Sequence, residues 1–142
     1  MGIKLMILLD THIWIWYLTK DTKLKERTYK LINLFNQNNE AYISSISIWE
    51  ICKLHEKGKI KFSLPLRTWL NAALTKGILI QELSTDIYLD SCSLPGNFHG
   101  DPADQMIVAT ARTLNFKLVT YDKNISNYKH VELSSSSTKS SV

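Results

Sequence analysis

Only two cysteines, Cys52 and Cys92, occur in the 142-residue chain. They lack the spacing of a metal site and are too few for a disulfide framework. Both fall on predicted helices, where they are expected to act as small buried hydrophobes in a reducing compartment. No apolar run approaches the ~20 residues a membrane span requires. The N-terminus has no signal-peptide pattern, and Met6 stands where a myristoylation signal wants Ser or Thr. Neither GxGxxG nor the P-loop pattern is present, which excludes dinucleotide and nucleotide-triphosphate folds of the usual kind. Internal repeats are absent too. These absences leave a cytoplasmic protein with no membrane association as the expectation.

What remains is ordinary globular material. Hydrophobic residues make up 44% and charged residues 21% of the chain, the range of a soluble domain. The length suits one domain with a core that needs no disulfide or metal staple. The net charge is +4 and the sequence pI about 9.0. That balance is compatible with nucleic acid without establishing it. Concentrating four acids in one site would leave nine acids against 17 Lys and Arg elsewhere, a surface balance of +8.

Taken in order, the chain alternates strands and helices. Lys4–Leu9, KLMILL, is an unbroken apolar run, as in a strand covered on both faces, and it stops at Asp10. The aromatic segment Thr11–Leu18 predicts a short helix, with Trp14, Trp16 and Tyr17 assigned to the core or a subunit interface in preference to a substrate platform. Leu24–Asn36 has the spacing of an amphipathic helix, and Ala41–Ser44 reads as a second strand. Ser45 or Ser47 can cap a helix that runs to Lys57 and stops at Gly58. A helix over Leu66–Lys76, with Trp69, Leu70, Ala73 and Leu74 inward, ends at Gly77. Ile78–Leu83 is a third strand, and Ser84 caps a helix over Thr85–Leu94. Leu118–Thr120 is a fourth strand with Asp122 just past it, and Val131–Leu133 is a candidate fifth. The serine-rich end, residues 134–142, is expected to be disordered, leaving residues 1–133 as the domain. The alternation calls for an α/β fold: a central, mainly parallel sheet of four to five strands between helical layers.

One stretch organises the rest: Gly100–Ala111, GDPADQMIVATA. Asp101 can cap a helix, Pro102 suits its first turn, and Asp104 follows three residues after the cap. Met106, Ile107, Thr110, Ala111 and Leu114 recur at helical spacing behind them. Asp10 and Asp122 stand at strand ends, where open α/β sheets place ligands. Glu50 interrupts an apolar stripe between Ile46 and Leu54, either reaching solvent or pairing with Lys53, or held inward for a ligand. In a doubly wound sheet these positions share one edge. Four converging carboxylates would repel one another without cations. Hard oxygen donors with no Cys–His set favour Mg2+ or Mn2+ over zinc. Such an ion supports phosphodiester hydrolysis without a side-chain nucleophile.

Over residues 3–133 the sequence resembles the PIN-domain ribonucleases of the VapC toxin type. The resemblance rests on LLDTHIWIW (Leu8–Trp16), ISSISIWEI (Ile43–Ile51), HGDPADQMIVATA (His99–Ala111) and LVTYDKNI (Leu118–Ile125), in that order on the predicted elements. It implies a PIN-like three-layer sandwich and a catalytic, metal-binding quartet at Asp10, Glu50, Asp104 and Asp122. Asp101 would assist through the metal's water shell, although capping alone also accounts for it. Thr11, Ser45 and Thr120 fall beside the quartet and could orient its carboxylates; strand-end turns explain them as well. Gln105 departs from the family, in which Arg often follows the third acid, and this puts the level of activity in question. His12 and His99 are expected to be loop or packing residues, because a metal-activated water already supplies the nucleophile.

The resemblance further implies a metal-dependent endoribonuclease acting on structured RNA such as tRNA, a homodimer, and a cognate antitoxin. Lys53, Lys57, Lys59, Lys61, Arg67, Arg112, Lys117 and Lys123 are candidates for a phosphate track. A phosphoaspartyl phosphatase is disfavoured, since His12 stands where its second aspartate belongs. A catalytically silent PIN fold that binds RNA or protein is the alternative, and the retention of all four acids argues against it.

Overall fold

The computed structural model describes residues 4–134. Its centre is β1 (Ile7–Leu9), flanked by β2 (Ala41–Ser44) on one side and β4 (Lys117–Val119) on the other, with β3 (Leu79–Gln81) outside β2. All three pairings are parallel, and Leu8 stands opposite Tyr42 and Leu118. Every residue of β1 is buried, which is why its apolar run shows no polar alternation. Around the sheet lie α1 (Thr11–Thr19), α2 (Glu26–Gln37), α3 (Ile46–Glu56), α4 (Leu66–Ala73), α5 (Thr85–Ser91), α6 (Pro102–Leu114) and α7 (Lys123–Ser126).

Successive strand residues serve opposite faces, so the sheet divides two cores. Ile7 and Leu9 pack with Ile13 and Trp14 of α1, Ile32 of α2 and Ile51 of α3. Leu8 packs with Ile107, Val108 and Ala111 of α6 and with Ile125 of α7. Helix layers on both faces make the expected three-layer sandwich. α1 is mostly apolar: Ile13, Trp14, Ile15 and Tyr17 are buried in it, while His12 and Thr19 are exposed. Each such side chain contributes about 1.5–3 kcal/mol by leaving water. Truncating Leu8, which is 0% exposed, would cost about 2–5 kcal/mol.

Several elements are shorter than their sequence patterns. β1 begins at Ile7, although the apolar run starts near Lys4. α4 ends at Ala73, and Leu74, expected inward, is 37% exposed. α5 ends at Ser91, and Cys92, expected to be buried, is exposed at its C-cap; Cys52 is half-buried on α3. Leu114, expected on the inner face of α6, is exposed in the last turn, where the helix leaves the sheet. The candidate fifth strand contracts to one parallel bridge, Leu118 with Leu133. Two hydrogen bonds hold it, from Leu118 N–H to Glu132 O and from Ser134 N–H to Leu118 O, each 2.9 Å. Ser134, read as the start of the tail, is therefore buried against β4. The rest of the expected disordered tail, residues 135–142, lies outside the described residues.

Candidate metal centre

β1 passes directly into α1 at Asp10, whose extended backbone (φ −60°, ψ 156°) turns the chain. Its Oδ1 accepts the Thr11 N–H at 2.7 Å and its carbonyl accepts the Trp14 N–H at 3.0 Å. Its Oδ2 accepts the Thr120 hydroxyl at 2.7 Å. That hydroxyl in turn accepts the Asp122 N–H at 3.0 Å, so one threonine ties the ends of β1 and β4 together. Burial raises the Asp10 carboxyl above its ordinary range; the bonds from Thr120 and Thr11 oppose the rise.

Glu50 comes from α3. Its Oε1 accepts the Thr11 hydroxyl, which also contacts the Ser47 hydroxyl at 2.8 Å. Because the Thr11 proton is committed to the carboxylate, Ser47 is the donor to Thr11. Burial, opposed by the Thr11 bond and aided by the charges of Asp10, Asp101 and Asp122, pushes Glu50 up to about 7.

α6 begins as its sequence implies. Asp101 caps it by accepting the Asp104 N–H at 2.8 Å, and Pro102 fills the first turn. Among the described residues nothing donates a hydrogen bond to the Asp104 side chain. Burial, then repulsion from Asp101, Asp10, Glu50 and Asp122, pushes it up to about 8. The backbone passes tightly below it: a Cβ on Gly100 would lie 2.8 Å from the Asp104 Cβ and 2.3 Å from the Phe98 ring. A side chain at position 100 would thus displace Asp104. Asp122 caps α7 by accepting the Ile125 N–H at 3.1 Å.

Asp10, Glu50, Asp101, Asp104 and Asp122 line one cleft, with His12, Trp16, Leu54 and Tyr121 completing its walls. One oxygen each from Glu50, Asp101 and Asp104 lie within 4.8 Å of one another, a separation that one ion can bridge. The tight trio includes Asp101, expected only to assist, while Asp10 and Asp122 stand beside it in the same cleft. The donor set is all carboxylate oxygen, which suits a hard divalent ion. The raised carboxyls fit it too, since a cation would relieve the repulsion that raises them.

The remaining candidates divide. Thr11 and Thr120 bond the cleft's carboxylates. Ser45 takes the N-cap position of α3 without a side-chain bond and is not part of the cleft wall; the serine that reaches Thr11 is Ser47. Ser47 precedes Glu50 by three residues and so shares its helix face, a signal present in the sequence. His12 is exposed in the wall, with its ring 5.7 Å from that of Trp16. His99 is exposed on the preceding loop, where its carbonyl accepts from Asn124 at 3.0 Å. Gln105 donates to the Gly100 carbonyl at 3.3 Å and so braces that loop. Tyr121, not singled out by sequence, lies between Thr120 and Asp122 just past β4; its hydroxyl contacts that of Thr28 at 2.6 Å.

Residues 7–131 match the PIN domain family. The chain is 28% identical over 124 residues to Ribonuclease VapC22 of Mycobacterium tuberculosis, covering 87% of this chain and 92% of that protein. Its fold is similar to the DNA-bound VapBC of Salmonella typhimurium, with a TM-score of 0.70 and 20% identity over 92% of this chain and 98% of that one. VapBC2 of Rickettsia felis, bound to a promoter DNA fragment, has a TM-score of 0.69 and 21% identity over the same shares.

Proposed function

The chain belongs to the PIN-domain family, and on that premise we propose that it is a metal-dependent endoribonuclease, the toxin of a toxin–antitoxin pair. The observation that carries this reading is the convergence of Glu50, Asp101 and Asp104 in a cleft that Asp10 and Asp122 also line. Similarity to a ribonuclease over most of both chains supports the reaction type. The likeness in fold to VapBC complexes supports a cognate antitoxin as partner.

Asp10, Glu50, Asp104 and Asp122 are the catalytic acids in this reading, and Asp101 assists them. Mg2+ or Mn2+, when bound, would polarise the phosphodiester and lower the pKa of a water. The protein's own part is orientation. Thr11 and Thr120 fix Asp10 from both sides, and Ser47 and Thr11 fix Glu50. Asp104 has both carboxylate oxygens available for the ion. The substrate is RNA in the cytoplasm, of a structured class such as tRNA. A second copy of the chain would cover exposed apolar side chains, among them Leu79 and Ile80 of the edge strand β3 and Tyr88 and Leu89 of α5.

Inducing the protein in cells and sequencing RNA 5′ ends tests the proposal. New ends at discrete positions, absent when Asp104→Asn is induced, are expected. The same ends from both proteins, or none from either, would overturn it.

A further inference from the structure

The two aspartates of α6 follow a loop, residues 95–100, that has no helix or strand of its own. A side chain at the end of such a loop is only as well placed as the loop is held. One brace is local, the bond from Gln105 to the Gly100 carbonyl. Two more come from a strap formed by α7 and the residues after it. Asn124, two residues beyond Asp122, donates its Nδ2–H to the His99 carbonyl at 3.0 Å. Tyr128, buried at 9% exposure, donates its hydroxyl to the Pro95 carbonyl at 2.5 Å. Its ring also packs on that of Phe98, with centroids 4.9 Å apart and planes tilted by 59°.

Phe98 carries that contact to the acids. A Cβ at position 100 would lie 2.3 Å from the Phe98 ring and 2.8 Å from the Asp104 Cβ. Contact therefore runs in series from Tyr128 through Phe98 and Gly100 to Asp104. The strap is itself fastened at its far end. Arg112, expected on a phosphate track, donates to Asp90 through Nε at 2.9 Å and to the His130 carbonyl at 2.7 Å. Those bonds commit it to tying the strap to α5 and α6. Asp122 caps α7, so the strap carries one acid at its start and holds two others along its length. Tyr128, Phe98 and Asn124 are not among the residues that line the cleft. Core packing explains the buried rings, but it does not require side-chain bonds to two carbonyls of one loop.

We propose that Tyr128 and Asn124 are positioning residues for Asp101 and Asp104. Acting through Phe98 and the His99–Gly100 backbone, they set where those two carboxylates stand relative to Asp122 across the cleft. The consequence for an ion rests on the divalent-ion reading of the cleft, whereas the placement of α6 can be followed with no ion present.

Calorimetric titration with Mn2+, paired with hydrogen–deuterium exchange of the metal-free protein, tests this. Tyr128→Leu and Asn124→Ala should each weaken Mn2+ binding about tenfold, the usual loss when a residue that orients ligands is removed. Both should also speed exchange of the Asp104 and Gln105 amides, which are bonded to Asp101. Tyr128→Phe keeps the ring on Phe98 and should restore most of the affinity. In RNA cleavage, Tyr128→Leu should lower kcat and leave KM unchanged, since it moves the acids and not an RNA contact. Ile32→Val alters the core on the opposite face of the sheet; it should lower the melting temperature and bind Mn2+ as wild type. Asn124 is exposed, so Asn124→Ala keeps the test valid if Tyr128→Leu does not fold. Unchanged Mn2+ affinity in Asn124→Ala, or an equal loss in Ile32→Val, overturns the proposal. If the wild-type protein takes up no Mn2+, the divalent-ion reading fails, and exchange decides the placement of α6 alone. Faster exchange confined to residues 98–106 then supports the strap, and unchanged exchange there overturns it.

Discussion

The two walls of the cleft hold their carboxylates in opposite ways. On the β1–α3 side, Asp10 and Glu50 are surrounded by donors: the Thr11 N–H, the Thr11 and Thr120 hydroxyls, and Ser47 behind Thr11. On the α6 side, Asp101 spends one oxygen on the Asp104 N–H, and the Asp104 carboxylate receives no donor among the described residues. Burial raises carboxyls on both walls, and only on the β1–α3 side do hydrogen bonds oppose the rise. Glu50, with its hydroxyl partner, is pushed up to about 7, and Asp104, with none, to about 8. One wall is preorganised by donors from the protein, and the other is not. In the proposed reading, a bound cation would relieve the repulsion on that second wall.

Removing the frustrated charge should have the largest effect. Asp104→Asn keeps the size of the side chain and relieves repulsion. The metal-free protein should melt at or slightly above the wild-type temperature, while RNA cleavage falls by orders of magnitude. Loss of folding in this variant would make Asp104 a structural residue and erase the contrast between the walls.

Moving the same carboxylate without changing it is the next test. Gly100→Ala places a methyl 2.8 Å from the Asp104 Cβ, so the start of α6 must shift. Displacement on the order of 1 Å costs about 100-fold in rate. Cleavage at wild-type rate would show that the position of Asp104 is not critical.

The preorganised wall breaks differently. Thr120→Val deletes the hydroxyl that donates to Asp10 and accepts from Asp122. Leaving the buried Asp10 Oδ2 without that donor should cost about 1–3 kcal/mol in chemical denaturation, and metal affinity should fall about tenfold. Here stability and function fall together, whereas in Asp104→Asn they part. A Thr120→Val protein as stable as wild type would sink the claim that this wall is held by hydroxyls.

Stability against pH should read the raised carboxyls of both walls. Asp104 and Glu50 are raised from 3.8 and 4.5 to about 8 and about 7. Between those limits the folded protein holds more protons than the unfolded chain, so stability falls as pH rises. Their contribution is complete below about pH 4 and gone above about pH 8. The metal-free melting temperature should decline across that window, and less steeply in Asp104→Asn. A profile with the same slope in both proteins would remove Asp104 as its source.

The smallest effect separates the two aspartates of α6. Asn caps helices about as well as Asp, so Asp101→Asn should keep the helix. It should cost far less activity than Asp104→Asn in a side-by-side cleavage assay. Equal losses would make Asp101 as direct a ligand as Asp104.

Much of the cleft was legible in the sequence because charge interrupts hydrophobic pattern at element ends. An apolar run that stops at Asp10, a capped helix start at Asp101–Asp104 and a strand that ends before Asp122 each place an acid on the same sheet edge. Glu50 was visible as the break in an apolar stripe. The spacing of Ser47 and Glu50 also puts that serine on the acid's face of α3, and Ser47, not Ser45, meets Thr11. Periodicity says nothing of the shortest elements. α7 is four residues long, too short for any periodic signal, yet it is what Asp122 caps. Leu74, Cys92 and Leu114 were expected inside and are exposed, since all three lie at or just beyond helix ends, where the chain leaves the sheet. Trp16 was assigned to core or interface from its bulk; it packs against the core from a half-buried position and also lines the cleft wall.

The central claim is that the unsatisfied acids of this cleft act through a divalent ion. Its most direct test is cleavage of RNA by the purified wild-type protein, measured with Mg2+ or Mn2+ and again in EDTA. Cleavage should appear with either ion and vanish when the ion is chelated. Undiminished cleavage with all divalent ions removed would contradict the account.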